Sequence, residues 1–196
     1  MHSTPDLPDS ELPVGDARGG DPRAWDVLVR RYQAPLFAYI EDLVRDRATS
    51  LDLVQDTLIR AIRYLPGLRD DRRFGSWLFG IAHQRVLLHW RRRGRSPFAD
   101  TPLPEKAECA EESPDLSLIR TEEAAGLLAA IDDLPPAQRS VVLLHFLENF
   151  ALADIAEITG TSLGTVKSRL HYAKHALRRS LQAAASPTSH EDKIPT

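Results

Sequence analysis

One cysteine, Cys109, stands among 196 residues. An intramolecular disulfide and a cysteine-rich zinc site are therefore excluded, and a reducing compartment, the cytoplasm, is the expected setting. Long apolar runs are missing as well. No stretch approaches the roughly 20 residues that cross a bilayer. The start of the chain sets Asp6, Asp9 and Glu11 among prolines and lacks the basic and apolar segments of a signal peptide, so direct membrane insertion is not expected. There is no Gly-rich phosphate loop ending in Lys-Ser/Thr, no His-Glu-x-x-His and no Gly-x-Ser-x-Gly. No catalytic residue, metal ligand or cofactor is assigned, because the seven histidines are scattered singly and a lone histidine is more often a surface or capping residue than a ligand.

Acidic side chains are absent from one stretch in particular. Between Thr159 and Leu181 there is none, while five Lys or Arg and two His crowd the same segment. Just before it, Leu152, Ile155, Ala156 and Ile158 recur at helical spacing, and the turn Gly160-Thr161-Ser162 follows. Ser162 is placed to cap a second helix whose inward stripe is Val166, Leu170, Ala173 and Leu177. Lys167, Arg169, Lys174, Arg178 and Arg179 fall outside that stripe. Two short helices joined by a tight Gly-containing turn, the second one basic, form a helix-turn-helix. The small Ala156 lets the two helices cross closely.

The net charge of -3 is unusual for a protein that meets DNA, but it conceals segregation. Five Arg and no acid lie between Arg85 and Arg95, whereas Pro97 to Glu123 holds eight acids against Lys106 and Arg120. Local charge, not the total, is what a phosphate backbone responds to.

The organisation expected is all-α, with two small helical modules joined by a flexible acidic linker. Residues 1–22, rich in Pro, Gly and Asp, read as a disordered tail. The first module covers 23–95. It opens with Trp25, Leu28, Tyr32, Leu36, Tyr39 or Ile40, and Leu43 at helical spacing, Pro35 being read as the first turn of a new helix. Thr49 and Asp52 then resemble a capping box before a buried stripe of Leu51, Val54, Leu58, Ile62 and Leu65. Asp52, Gln55 and Asp56 share an exposed face. A polar loop follows, and Ser76 reads as the cap of an apolar helix with a basic end, in which Trp90 is either core or a stacking platform. Residues 96–115 are the acidic, Pro-broken linker, 116–182 the second module and 183–196 a frayed tail.

DLVQDTLIRA, FGSWLFGIAHQRVLLHWRRR and LPPAQRSVVLLHFLENFALADIAEITGTSLGTVKSRLHYAKHAL together resemble, in sequence and spacing, an extracytoplasmic-function RNA polymerase sigma factor of the sigma-70 family. The likeness runs from about Asp21 to Leu181. It implies that the first module is sigma region 2, which binds the clamp helices of core RNA polymerase through Asp52, Gln55 and Asp56 and opens the minus-ten element of promoter DNA. It also implies that the second module is region 4, which binds the polymerase flap and reads the minus-thirty-five element. An anti-sigma partner is left open.

In the second helix of the helix-turn-helix, Lys167, Ser168, His171 and Tyr172 are the expected base readers, with Thr165 and Arg169 on phosphates. The resemblance further implies that capture of a minus-ten base falls to Arg72, Arg73, Phe74 and Ser76, and duplex or backbone contact to His83, Arg85, Arg91 and Arg92, where an aromatic wall and cations suit a flipped base and its strand. Phe74 has an alternative role as a hydrophobic staple at the helix start. A dimeric operator-binding regulator, with the first module as dimerisation or ligand domain, is the alternative function. A recombinase is a third, although no convincing strand run precedes Arg95.

Overall fold

In the computed structural model, which describes residues 11–94 and 121–185, eight α-helices account for the architecture and no strand occurs among the described residues. The first module comprises α1 (Val14–Arg18), α2 (Pro22–Val44), α3 (Arg47–Tyr64) and α4 (Phe74–Arg92). The second comprises α5 (Thr121–Asp132), α6 (Pro136–Val142), α7 (Leu152–Thr159) and α8 (Leu163–Ala185), with a π-helical turn at Leu143–Leu147 after α6. The acidic linker lies outside the described residues.

Local chemistry accounts for most of the helix ends. Asp21 accepts from the Arg23 amide and Pro22 occupies the first helical position, so α2 starts where its missing N–H costs nothing. Arg45, in the left-handed region at φ 58°, ends it. Asp46 caps α3 by accepting from the Thr49 amide at 2.8 Å, which leaves a two-residue connection and makes α2 and α3 antiparallel neighbours. Hydrogen bonding from Thr49, its side chain first and its amide second, holds the Asp46 carboxyl below its usual range. The Thr49–Asp52 capping box expected from the sequence is thus displaced three residues upstream.

Four further expectations are corrected. Residues 12–18 are not a disordered tail: Leu12, Val14 and Ala17 are buried, α1 packs on α2, and the Trp25 indole N–H donates to the Ala17 carbonyl at 2.9 Å. Pro35 starts no new helix but lies inside α2. One lost backbone hydrogen bond is outweighed by an unbroken face of Tyr32, Leu36, Tyr39 and Ile40 buried in the core. The buried stripe of α3 is Ser50, Leu53, Val54, Thr57 and Ala61, rotated from the one expected. Its polar members are satisfied locally, the Thr57 hydroxyl donating to the Leu53 carbonyl at 2.7 Å and the Ser50 hydroxyl to the Asp46 carbonyl at 2.8 Å. Lastly, α4 begins at Phe74 without a side-chain cap, and the Ser76 hydroxyl donates back to the Arg73 carbonyl.

Helix α4 is central, as its nearly all-round apolar sequence predicts. It packs on α2, α3 and α7. Gly75 is needed for the first of these contacts, because a Cβ there would meet the Tyr32 hydroxyl at 2.9 Å. One continuous cluster of buried side chains runs through both modules. Arg139 joins them. Nine-tenths buried, it donates to the carbonyls of Ile131, Asp132 and Leu134 at the end of α5 and, at 2.8 Å, to the carbonyl of Asp42 near the end of α2. Carbonyls that helix ends leave without partners are satisfied by one guanidinium.

Candidate nucleic-acid interface

The helix-turn-helix forms as its residues dictate. Gly160 takes φ 64°, the left-handed conformation that costs glycine nothing, and the Thr161 amide reaches back to the Ala156 carbonyl at 3.0 Å to close α7. Ser162 accepts from the Thr165 amide at 3.1 Å and so caps α8. Val166, Leu170, Ala173 and Leu177 are all buried, which fixes the rotation of α8 and turns the opposite side outward. On that side Lys167 is exposed, and Ser168, His171 and Tyr172 are half-buried, with the His171 and Tyr172 rings 5.6 Å apart. Thr165 stands at the helix start with its hydroxyl 2.9 Å from that of Ser162. Arg169 is half-buried and near enough for its charge to act on His83; burial lowers its pKa, and its sheltered Nε makes no hydrogen bond.

In the first module the expected strand-handling residues divide. Arg91 and Arg92 are exposed at the end of α4 and form no ion pair among the described residues. Arg72 is exposed and held by Asp70 at 3.0 Å. Arg73 is ion-paired with Glu157 and, at 3.6 Å, with Asp154. Arg85 pairs with Asp56, which also receives Arg60 at 3.1 Å.

Two of the expected contacts are overturned. Phe74 is 2% exposed and packs against Tyr32, Trp77 and Trp25 at ring distances of 5.4, 5.9 and 6.5 Å, so it is a core side chain and not the wall of a base pocket. His83 is also 2% exposed, with Nδ1 2.8 Å from the Tyr39 hydroxyl. Burial, helped by the charge of Arg169, pushes its pKa down to about 4, so it is neutral near pH 7 and makes no phosphate contact. Trp90 packs against the core edge, with its indole N–H sheltered and unpaired.

A cavity of about 610 Å³ lies where the end of α3, the loop before α4 and the outer face of α4 meet α7. Arg69, Arg73, Trp77, Ile81, Glu157 and Ile158 are among its lining residues. Separately, the outer face of α3 carries an apolar strip that includes Leu51 and Ile62, two members of the stripe expected to be buried. Leu51, Ile59 and Ile62 are 42%, 57% and 53% exposed, and Gln55 lies on the same strip with Asp52 beside it. The signal was there in the sequence, since α3 has more apolar positions than a single buried stripe accommodates. Arg139, with its four carbonyl acceptors, had no such signal.

The fold and its charged surfaces define a two-module, all-helical protein with a helix-turn-helix for DNA. Comparison with known proteins carries this further. The family model for sigma-70 region 2 matches residues 28–96 and that for sigma-70 region 4 matches residues 125–177. The RNA polymerase sigma-H factor of Pseudomonas aeruginosa is 34% identical, over 83% of this chain and 89% of its own. The ECF RNA polymerase sigma factor SigE of Mycolicibacterium smegmatis is 32% identical, over 92% of this chain and 72% of its own. Among solved structures, the sigma factor RpoE of Bartonella quintana, in complex with the anti-sigma factor NepR, aligns with a TM-score of 0.58 at 26% identity, over 79% of this chain and 94% of that one. CnrH, in complex with the cytosolic domain of CnrY, shares the fold with a TM-score of 0.63 at 23% identity, over 92% of this chain and 100% of that one. The chain belongs to the sigma-70 family and is an RNA polymerase sigma factor of the extracytoplasmic-function type.

Proposed function

We propose that residues 23–95 act as region 2, docking on the clamp helices of core RNA polymerase and opening the minus-ten element, and that residues 116–182 act as region 4, meeting the polymerase flap and reading the minus-thirty-five element. Lys167, Ser168, His171 and Tyr172 read base edges with Thr165 and Arg169 on phosphates. Arg72, Arg73, Ser76, Arg85, Arg91 and Arg92 handle the melted strand and its duplex edge. Asp52, Gln55 and Asp56, together with Leu51, Ile59 and Ile62, meet the polymerase. The protein acts in the cytoplasm as a polymerase subunit without catalysis of its own. A proteinaceous anti-sigma factor, as named for the Bartonella relative, is a further partner.

The outer face of α3 carries the polymerase half of this reading. An exposed apolar strip bordered by carboxylates suits a partner surface offering apolar contact and Arg side chains, where carboxylate–Arg pairing adds orientation to attraction. The test is run-off transcription with purified core polymerase. Initiation that depends on both chain and promoter is expected, and promoter binding as a symmetric dimer without polymerase would overturn the reading.

A further inference from the structure

Resting on the reading that the segment before α4 handles the melted strand, we infer that Arg18 of α1 is a positioning residue for that segment. It holds residues 68–73 in the shape that presents Arg72 to the strand, and it does not meet DNA itself. The contact is long-range in sequence. Arg18 Nη2 donates to the Leu68 carbonyl at 3.1 Å and pairs with the Asp71 carboxylate, partners 50 and 53 residues further along the chain. One planar guanidinium, its donors in a fixed fork, therefore ties the first and fourth residues of the loop to a single point. That point is itself anchored. Val14 and Ala17 of α1 are buried, and the Trp25 indole N–H donates to the Ala17 carbonyl at 2.9 Å. The Trp25 ring also meets that of Phe74 at 6.5 Å, so the loop is referred at both ends to the corner between α1 and α2. The fit there is close, since a Cβ on Gly15 would lie 3.6 Å from Asp71 Oδ2.

Charge gives the arrangement a second consequence. Residues 69–73 read Arg-Asp-Asp-Arg-Arg, and two free carboxylates among them would repel a phosphate strand. Asp70 is turned back onto the Arg72 amide and guanidinium, and its carbonyl takes the Arg73 amide at 3.0 Å. Asp71 is drawn the other way, onto Arg18. The Arg72 side chain, 80% exposed, stays open to solvent. A half-exposed ion pair such as Arg18–Asp71 adds little to global stability. Its effect falls on the local equilibrium of the loop, because a segment already held in its working shape gives up less freedom when a strand binds.

The test uses the full chain assembled with core polymerase, and a fluorescent single-stranded oligonucleotide copied from the minus-ten region of a promoter from which the parent initiates. Arg18→Ala is expected to keep its melting temperature within about 4 °C of the parent and its capture by core polymerase. It should bind the oligonucleotide about tenfold more weakly, with a similar fall in run-off from duplex template. Two readouts separate positioning from direct contact and from packing. The slope of log affinity against log salt should stay that of the parent, whereas loss of one phosphate contact would reduce its magnitude by about 0.7. The exchanged pair, Arg18→Asp with Asp71→Arg, has unchanged net charge and should recover affinity over Arg18→Asp alone. Parental binding by Arg18→Ala, a reduced salt slope, no recovery in the exchanged pair, or a loss that follows melting temperature and core capture would each overturn the positioning role. If Arg72→Ala and Arg73→Ala also bind as the parent does, the strand-handling reading of the loop fails and the inference falls with it. A loss in those two with none in Arg18→Ala overturns the inference alone.

Discussion

His83 Nδ1 and the Tyr39 hydroxyl lie 2.8 Å apart in the dry centre of the first module. Burial pushes the His83 pKa down to about 4 from an ordinary 6.5 and raises that of Tyr39, so both are neutral near pH 7. Because the folded state resists protonation of this imidazole, the unfolded chain binds more protons between those two values. Stability is therefore full above about pH 6.5 and falls as pH drops toward 4, by about 3 kcal/mol if His83 acts alone. Melting temperatures from pH 7 to 4.5 should show the decline, and His83→Gln should flatten it. An equal slope in the variant would place the acid sensitivity elsewhere.

Phe74→Ala removes a buried aromatic ring that touches three others, and it should cost about 3–5 kcal/mol. Transcription should fall equally on a duplex promoter and on one with a pre-melted bubble. Recovery on the bubble, with an unchanged melting temperature, would return Phe74 to strand capture.

For the outer face of α3, Asp56 is a poor probe, because it anchors Arg60 and Arg85 and its loss would disturb the packing of α3 on α4. Asp52→Arg and Ile62→Asp change exposed side chains and should leave stability within about 0.5 kcal/mol. Both should lose capture by core polymerase in a pull-down. Normal capture by either folded variant would remove that position from the docking surface.

On α8, Lys167 is the most exposed of the expected base readers. Lys167→Ala should lose about 1–3 kcal/mol at one promoter position and relax the preference there. Measured across a set of promoters with single-base changes, a uniform loss would instead make Lys167 a phosphate contact.

Gly75→Ala should destabilise the first module by about 1–3 kcal/mol through overpacking, since its Cβ would fall 2.9 Å from the Tyr32 hydroxyl. A Tyr32→Phe background removes the opposing oxygen and should recover part of the loss. No recovery in the melting temperature would show that the two do not clash.

Much of the second module was legible because its signals are local. The Gly160 turn, the Ser162 cap and the stripe from Val166 to Leu177 are set by backbone conformation and helical period, and all three stand in the structure as read. Helix rotation in the first module was harder. α3 carries two apolar strips, and periodicity alone gives no means of choosing between them. The hydroxyls of Ser50 and Thr57 bond to carbonyls one turn back, which lets these polar side chains lie in the buried stripe.

By itself, then, the sequence determined an all-helical chain, a basic helix-turn-helix and the segregation of acid from base, because capping, turn chemistry, period and charge are properties of neighbouring residues. Only the tertiary structure decided which side of α3 faces outward, that Phe74 and His83 belong to the core, that Pro35 sits within a continuous helix, and that Arg73 meets Asp154 and Glu157. Each of these depends on what approaches from a distant part of the chain: α4 packs against α2, α3 and α7, and burial then gives the flanking side chains roles that their own spacing does not encode.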